Sequence, residues 1–153
     1  MRKTLLRIAA VAAAVLLVGG LTAYSYAAGP QKMVGVVVAE KSSSFDASQP
    51  VRDGVLTVDN VLAPDDSWVV VHLDMDGKPG MRVGVAHVTA GTHASVTVRL
   101  DPGVTLTDKV LVALHADRGV RGAFEFDMKR FDSSPDKPYF VNGMELAKEV
   151  PVG

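Results

Sequence analysis

Short valine-rich runs, each ended by Gly, Pro or Asp, recur along the chain from Gly54 onward. Where a run is regular it alternates. In Gly54–Leu62, Val55, Thr57 and Asp59 fall on one side and Leu56 and Val58 on the other. In Ala94–Leu100, Val96, Val98 and Leu100 point inward while Ser95, Thr97 and Arg99 point outward. A period of two is the spacing of a strand, whose successive side chains leave opposite faces. β-branched residues suit that pleated, half-buried surface. The same reading predicts strands at Met33–Ala39, Trp68–Asp74, Met81–Val88, Lys109–Ala116 and Ala123–Met128. It also predicts a final hairpin within Tyr139–Val152 around Asn142-Gly143, and a hairpin at Asp117-Arg118-Gly119. Lys41–Asp53, rich in Ser, Asp and Gln, reads as a loop, and Met144–Val150 is too brief for a convincing helix.

Strands at this spacing, separated by turn residues, indicate an all-β fold: an immunoglobulin-like antiparallel β-sandwich of seven to eight strands. The chain contains no Cys. Disulfides, thiolate metal sites and Cys nucleophiles are therefore excluded, and stability must come from burial alone.

The N-terminus is organised differently. Arg2, Lys3 and Arg7 form a basic head, Ile8–Leu21 is apolar and uncharged, and Ser25 and Ala27 have the spacing of a peptidase site. That is the layout of a secretory signal peptide. Uncharged residues continue to Gln31, so an uncleaved transmembrane anchor helix is the alternative. The expected organisation is residues 1–27 as signal peptide or anchor, 28–50 as an N-terminal strand and linker, and 51–153 as the sandwich. The expected location is secreted, periplasmic or at the cell surface, with membrane contact only through residues 8–28 if the leader is retained. Cleavage after Ala27 leaves 126 residues, enough to bury roughly two thirds of the unfolded surface.

The leader holds three of the 16 basic residues, leaving 13 against 17 acidic ones. No basic run follows Arg7. Nucleic acid is therefore excluded as a partner, and an unknown protein or surface partner is expected.

Four histidines are the candidates for chemistry: His72, His87, His93 and His115. Imidazole and thioether together suit copper, and Met75, Met81 and Met128 add soft sulfur donors. On the Trp68–Asp74 strand His72 and Met75 differ by three positions and so leave opposite faces. His87 and His93 flank a turn and face each other if that turn closes a hairpin. His72-Leu73-Asp74 and His115-Ala116-Asp117 repeat a His-x-Asp pattern, in which each carboxylate is placed to orient its imidazole. Asp74 and Asp117 equally fit as residues that open turns by accepting backbone N–H bonds. Ser42-Ser43-Ser44 lacks a Gly-x-Ser-x-Gly elbow. Asp74-x-Asp76-Gly77 begins like a calcium loop but lacks its closing Glu. Trp68 reads as a packing residue, and Arg118 with Arg121 as a solvated basic tip. No catalytic residue and no cofactor site is predicted.

The segments VDNVLAPDDSWVVVHLD (58–74), VGVAHVTAGTHASVTVRLD (83–101), LVALHADRGVRGAFEF (111–126) and DKPY (136–139) resemble a family of uncharacterised exported domains. Its members occur in archaeal and bacterial secreted and surface proteins. The resemblance spans roughly Val51–Val150 and is most specific in WVVVH and LHADRG. It implies an immunoglobulin-like sandwich with no assigned activity, and a shared structural or binding role for His72 and His115. The leading expectation is a non-enzymatic exported domain with a structural or binding role. Its alternative is an exported copper- or zinc-binding protein using His72, His87, His93 or His115. A hydrolase built on a His-Asp pair stands third.

Overall fold

A computed structural model describes residues 37–38, 43–141 and 143–153. The described chain is all-β: ten strands, one turn of 3-10 helix and no α-helix. The strands are β1 (Val37–Val38), β2 (Ser44–Asp46), β3 (Val55–Ala63), β4 (Ser67–Asp74), β5 (Pro79–Val88), β6 (Gly91–Arg99), β7 (Lys109–Ala116), β8 (Lys137–Val141), β9 (Met144–Glu145) and β10 (Ala147–Pro151). No helix of the described residues is long and apolar enough to cross a membrane. The leader expected at residues 1–27 lies outside the described residues.

Two sheets face each other. The smaller has the order β2-β3-β6; the larger runs β1-β8-β7-β4-β5, with β10 also on β7 and β9 on β8. All pairings are antiparallel except β1 with β8. β7 is shared on its outer side: β10 pairs with Lys109–Ala113, and β8 takes His115–Ala116. The strand expected over Met33–Ala39 is described at Val37–Val38, which pair with Tyr139 and Phe140. The strand count exceeds the expected seven to eight because short pieces such as β2 and β9 do not show as runs in the sequence. Lys41–Asp53 is not all loop, since it contains β2, and Phe45 reaches the core.

Between the sheets lies a core of Leu56, Val58 and Val61 from β3, Val96 and Val98 from β6, Val69 and Val71 from β4, and Val110, Val112 and Leu114 from β7. In β3 the buried positions switch phase, from Leu56 and Val58 to Val61 and Ala63. The switch occurs at Asn60, which has no partner in the ladder and a φ of 51°. Against β6 the register is unchanged across this point, with Ala94 left out opposite, but against β2 it slips by one residue: a β-bulge with Asn60 in the left-handed region, which Asn tolerates better than most. The Asn60 side chain donates to Asp46 Oδ2 at 2.9 Å, tying the bulge to β2. β5 closes one side of the sandwich where Gly84 bridges Leu100. A Cβ at Gly84 would stand 2.9 Å from the Arg99 carbonyl oxygen, so only glycine permits this approach.

The smaller sheet shows water a polar outer face, with Ser95, Thr97 and Arg99 exposed as the alternation requires. The larger sheet does not. In β4 the residues Ser67–His72 are all buried, and in β7 every residue after Lys109 is. A strand covered on both faces carries a continuous apolar run. What covers the second face is the segment 117–136. It is not the hairpin and strand expected at Ala123–Met128, and it adds a third, irregular layer to the expected two. Phe124 and Phe126 alternate with Glu125 and Asp127 as a strand would, but they pack edge-on against Trp68 and His115 instead of pairing with a neighbour.

Asp136 holds this cover in place. It is fully buried. Its Oδ1 accepts from Arg118 N at 2.9 Å and Gly119 N at 3.4 Å, and its Oδ2 accepts from Glu125 N at 2.7 Å. Ser134 Oγ takes Asp127 N, and Asp127 in turn caps the helical turn Met128–Arg130 through Lys129 N. Ion pairs from Arg118 to Asp65 and Arg121 to Asp66 tie the cover to the β3–β4 turn. The expected basic tip is thus neutralised by two aspartates. Replacing Asp136 by Asn removes one acceptor and points donors at donors. We expect Asp136→Asn to cost about 1–3 kcal/mol, read as a lower urea midpoint, with faster amide exchange at Arg118 and Glu125.

Candidate functional site

The second face of the larger sheet brings two of the four histidines together. Along the β4–β7 register Trp68 stands opposite His115, Val70 opposite Ala113, and His72 opposite Leu111. His72 and His115 are therefore diagonal neighbours, separated by Val70 and Ala113. The small Ala113 leaves space above it, and the rings meet there with centroids 5.8 Å apart and planes inclined at 27°. Both residues are 1% exposed. Phe126 packs edge-on to His115 at 4.7 Å, and Phe131 packs on Phe126 at 5.5 Å. Lys137 anchors Phe131 by donating to its carbonyl and lying over its ring.

Between these groups is a cavity of about 50 Å³, lined by His72, His115, Phe126, Met128, Phe131 and Glu145, with two prolines. Wider depressions of about 380 Å³ at Phe124–Pro135 and about 410 Å³ at Asp53–Leu106 open at the surface. Neither includes a histidine.

The hydrogen bonding of the pair is incomplete. His72 Nδ1 lies 2.9 Å from the Gly80 carbonyl oxygen. A carbonyl only accepts, so Nδ1 carries the proton and Nε2 keeps its lone pair. Nε2 of His72 and both ring nitrogens of His115 are buried without a partner. A buried polar atom left without a partner costs about 1–3 kcal/mol.

Electrostatics keep the pair neutral. Burial pushes His72 below its usual range; the Gly80 bond opposes this and the Arg82 charge adds to it. Burial pushes His115 well below that range, and His72 adds to the effect. Glu145 is pushed above its usual range by burial.

The other two histidines are engaged elsewhere. His87 Nε2 bonds Asp117 Oδ2 at 3.0 Å and its ring packs against Trp68 at 4.8 Å. His93 Nε2 bonds the Thr89 carbonyl oxygen at 2.8 Å. The His-x-Asp repeats do not form pairs. Asp74 Oδ1 accepts from Gly77 N, and Asp117 Oδ2 accepts from Gly122 N and His87. The aspartates serve turns, as their position at strand ends allows. Among the described residues, no group of three or more His, Asp or Glu is arranged to hold a metal ion.

Sequence reading missed Asp136, Glu145 and the phenylalanine cover. The signal for the cover was present, because WVVVHL and VLVALHA are continuous apolar runs. The DKPY segment now has a physical role: Asp136 clasps the cover, Pro138 lines the cavity, and Tyr139 reaches Ser67 Oγ at 3.1 Å.

Fold and site together define a class: a two-sheet β-sandwich with an irregular third layer sealing a histidine pair. The family model for a domain of unknown function, DUF7282, matches residues 41–152, and the chain belongs to that family. No curated protein and no solved structure matches the chain.

The buried imidazoles set a pH dependence. Their folded-state affinity for protons is lowered, so their stabilising contribution is complete above the ordinary value of 6.5 and is lost as pH falls toward their folded values. The unfolded chain takes up protons that the folded chain refuses, at about 1.4 kcal/mol per pH unit for each histidine. Glu145, raised above 4.5, works in the opposite sense: its contribution is complete below that value and is lost as pH rises through its folded value. Urea midpoints should fall between about pH 7.5 and pH 5, and His115→Phe should flatten that slope.

Proposed function

We propose that this chain is an exported, non-enzymatic domain with a structural or binding role outside the cytoplasm, its sandwich of the immunoglobulin-like kind. Export rests on the leader pattern of Arg2–Ala27. The site is carried by one observation: the histidine cavity, at about 50 Å³, has room for a water or a single ion and is far below the roughly 300 Å³ at which pockets for organic molecules begin. Of the buried polar groups outside the histidine pair, Asp136, Ser134, Ser67 and Tyr139 all bond within the fold. The partner in this reading is a protein or surface component met by the loops.

Export is tested by expressing the full chain in a bacterial host, fractionating the cells and measuring the mass of the N-terminal peptide. A chain that begins at Ala28 outside the cytoplasm is expected. An intact Met1 in the cytoplasmic fraction overturns the reading, and an intact Met1 in the membrane fraction assigns the leader as an anchor.

A second reading, a copper- or zinc-binding protein, is favoured by the meeting of His72 and His115, whose rings carry three buried nitrogens without a hydrogen-bond partner. His87 and His93 do not contribute to that cavity. Equilibrium dialysis of the purified protein against zinc and copper salts should show stoichiometric, saturable uptake that the His72→Phe/His115→Phe variant loses. Uptake equal in both proteins removes this reading.

A further inference from the structure

Nitrogen donors alone do not choose between metals, but the sulfur atoms around the cavity do. The large apolar residues that the described fold leaves exposed are Met75, Met81, Met128, Met144 and Val120. Methionine is ordinarily among the buried residues, so four exposed thioethers on a domain of this size call for a reason. Their placement supplies one. Met128, half exposed, lines the histidine cavity. The Met75 side chain lies against Gly80, whose carbonyl oxygen fixes the His72 tautomer. Met81 follows Gly80 directly, and Met144 precedes the cavity-lining Glu145.

We propose that the cavity is a copper(I) site, with His72 Nε2 and a ring nitrogen of His115 as ligands and the Met128 thioether as the third donor. The inference deepens the copper-or-zinc reading and rests on it. Zinc in proteins takes tetrahedral sets of four, from Cys, His and carboxylates. Such a set is not assembled among the described residues. Copper(I) is satisfied by roughly two or three soft ligands, and thioether and imidazole both suit it. Metal–nitrogen bonds run near 2 Å; the two rings lie 5.8 Å apart at their centres with planes inclined at 27°, and both line the one cavity that Met128 also lines. Binding would satisfy nitrogens that the fold buries unpaired, so the ion offsets a cost already present in the apo-protein. The exposed methionines at Met75 and Met81 would then be soft waypoints by which the ion reaches a cavity closed to water.

The test is an anaerobic titration of the protein purified from expression of the full chain. Copper(I) is added as its acetonitrile complex in competition with bicinchoninate, and the histidine ring resonances are followed by NMR, since copper(I) is diamagnetic. One copper(I) per chain is expected, with the His72 and His115 ring signals shifting together. Met128→Leu should weaken the affinity about ten- to hundredfold while leaving the thermal midpoint unchanged. His115→Phe should abolish the site. It also deletes two buried unpaired nitrogens for an apolar ring, so it should fold as well as the parent, which separates loss of binding from loss of structure. If His115→Phe binds copper(I) like the parent and Met75→Leu/Met81→Leu/Met144→Leu does not, surface thioethers alone are responsible and the proposal is overturned. Stoichiometric zinc uptake at the two histidines without copper(I) uptake overturns the copper assignment but leaves the metal reading standing. Absence of both removes the two together.

Discussion

Covering both faces of β4 and β7 is the requirement around which this molecule is built. One face meets the smaller sheet, as in any sandwich. The other has no sheet to meet, and twenty residues of irregular chain, 117–136, are folded over it. Irregular chain laid on an apolar surface brings backbone N–H groups out of water, and each must find an acceptor. A single carboxylate, Asp136, meets three of them at once. Charge-assisted bonds of this kind are stronger than neutral ones, which suits a clasp that has no disulfide beside it.

The histidine pair depends on that cover. His72 and His115 stand on strands whose register places them diagonally, but only the aromatic layer turns two imidazoles on a sheet into a closed polar site. Phe126 and Phe131 exclude water, and burial then drives both rings to their neutral form. Geometry and protonation state thus share one cause, the third layer.

Most of the sandwich was legible from residue type and spacing. Alternation in β6 identified Val96 and Val98 as inward, alternation in β3 separated Leu56 and Val58 from their neighbours, and the turn signals around Asn142-Gly143 placed the β8–β9 hairpin. What was not legible has definite physical reasons. The bulge at Asn60 shifts the phase of an alternation by one residue, and β2 is too short to alternate visibly. Ala123–Met128 has the period of a strand because its phenylalanines do face one way, onto a sheet, although no neighbour pairs with its backbone. The continuous apolar runs of β4 and β7 were the clue to that arrangement, since a half-solvated strand would have interleaved polar residues. For the site, the His-x-Asp repeats suggested within-strand pairs, while register brought His to His across strands. That is long-range information, and it becomes visible only once β4 and β7 are known to be neighbours.

The rim of the smaller sheet carries a different consequence. β2 is three residues long, its register slips between Ser44 and Asp46, and the Phe45 carbonyl between them accepts from the Lys148 ammonium, which also lies over the Phe45 ring. A free strand margin is where a foreign chain adds itself by backbone pairing, and brevity, irregularity and a lysine are what discourage it. A second molecule drawing alongside finds an acceptor already taken and too few others to grip. At this margin of the sheet, backbone addition by a neighbouring copy is thereby discouraged.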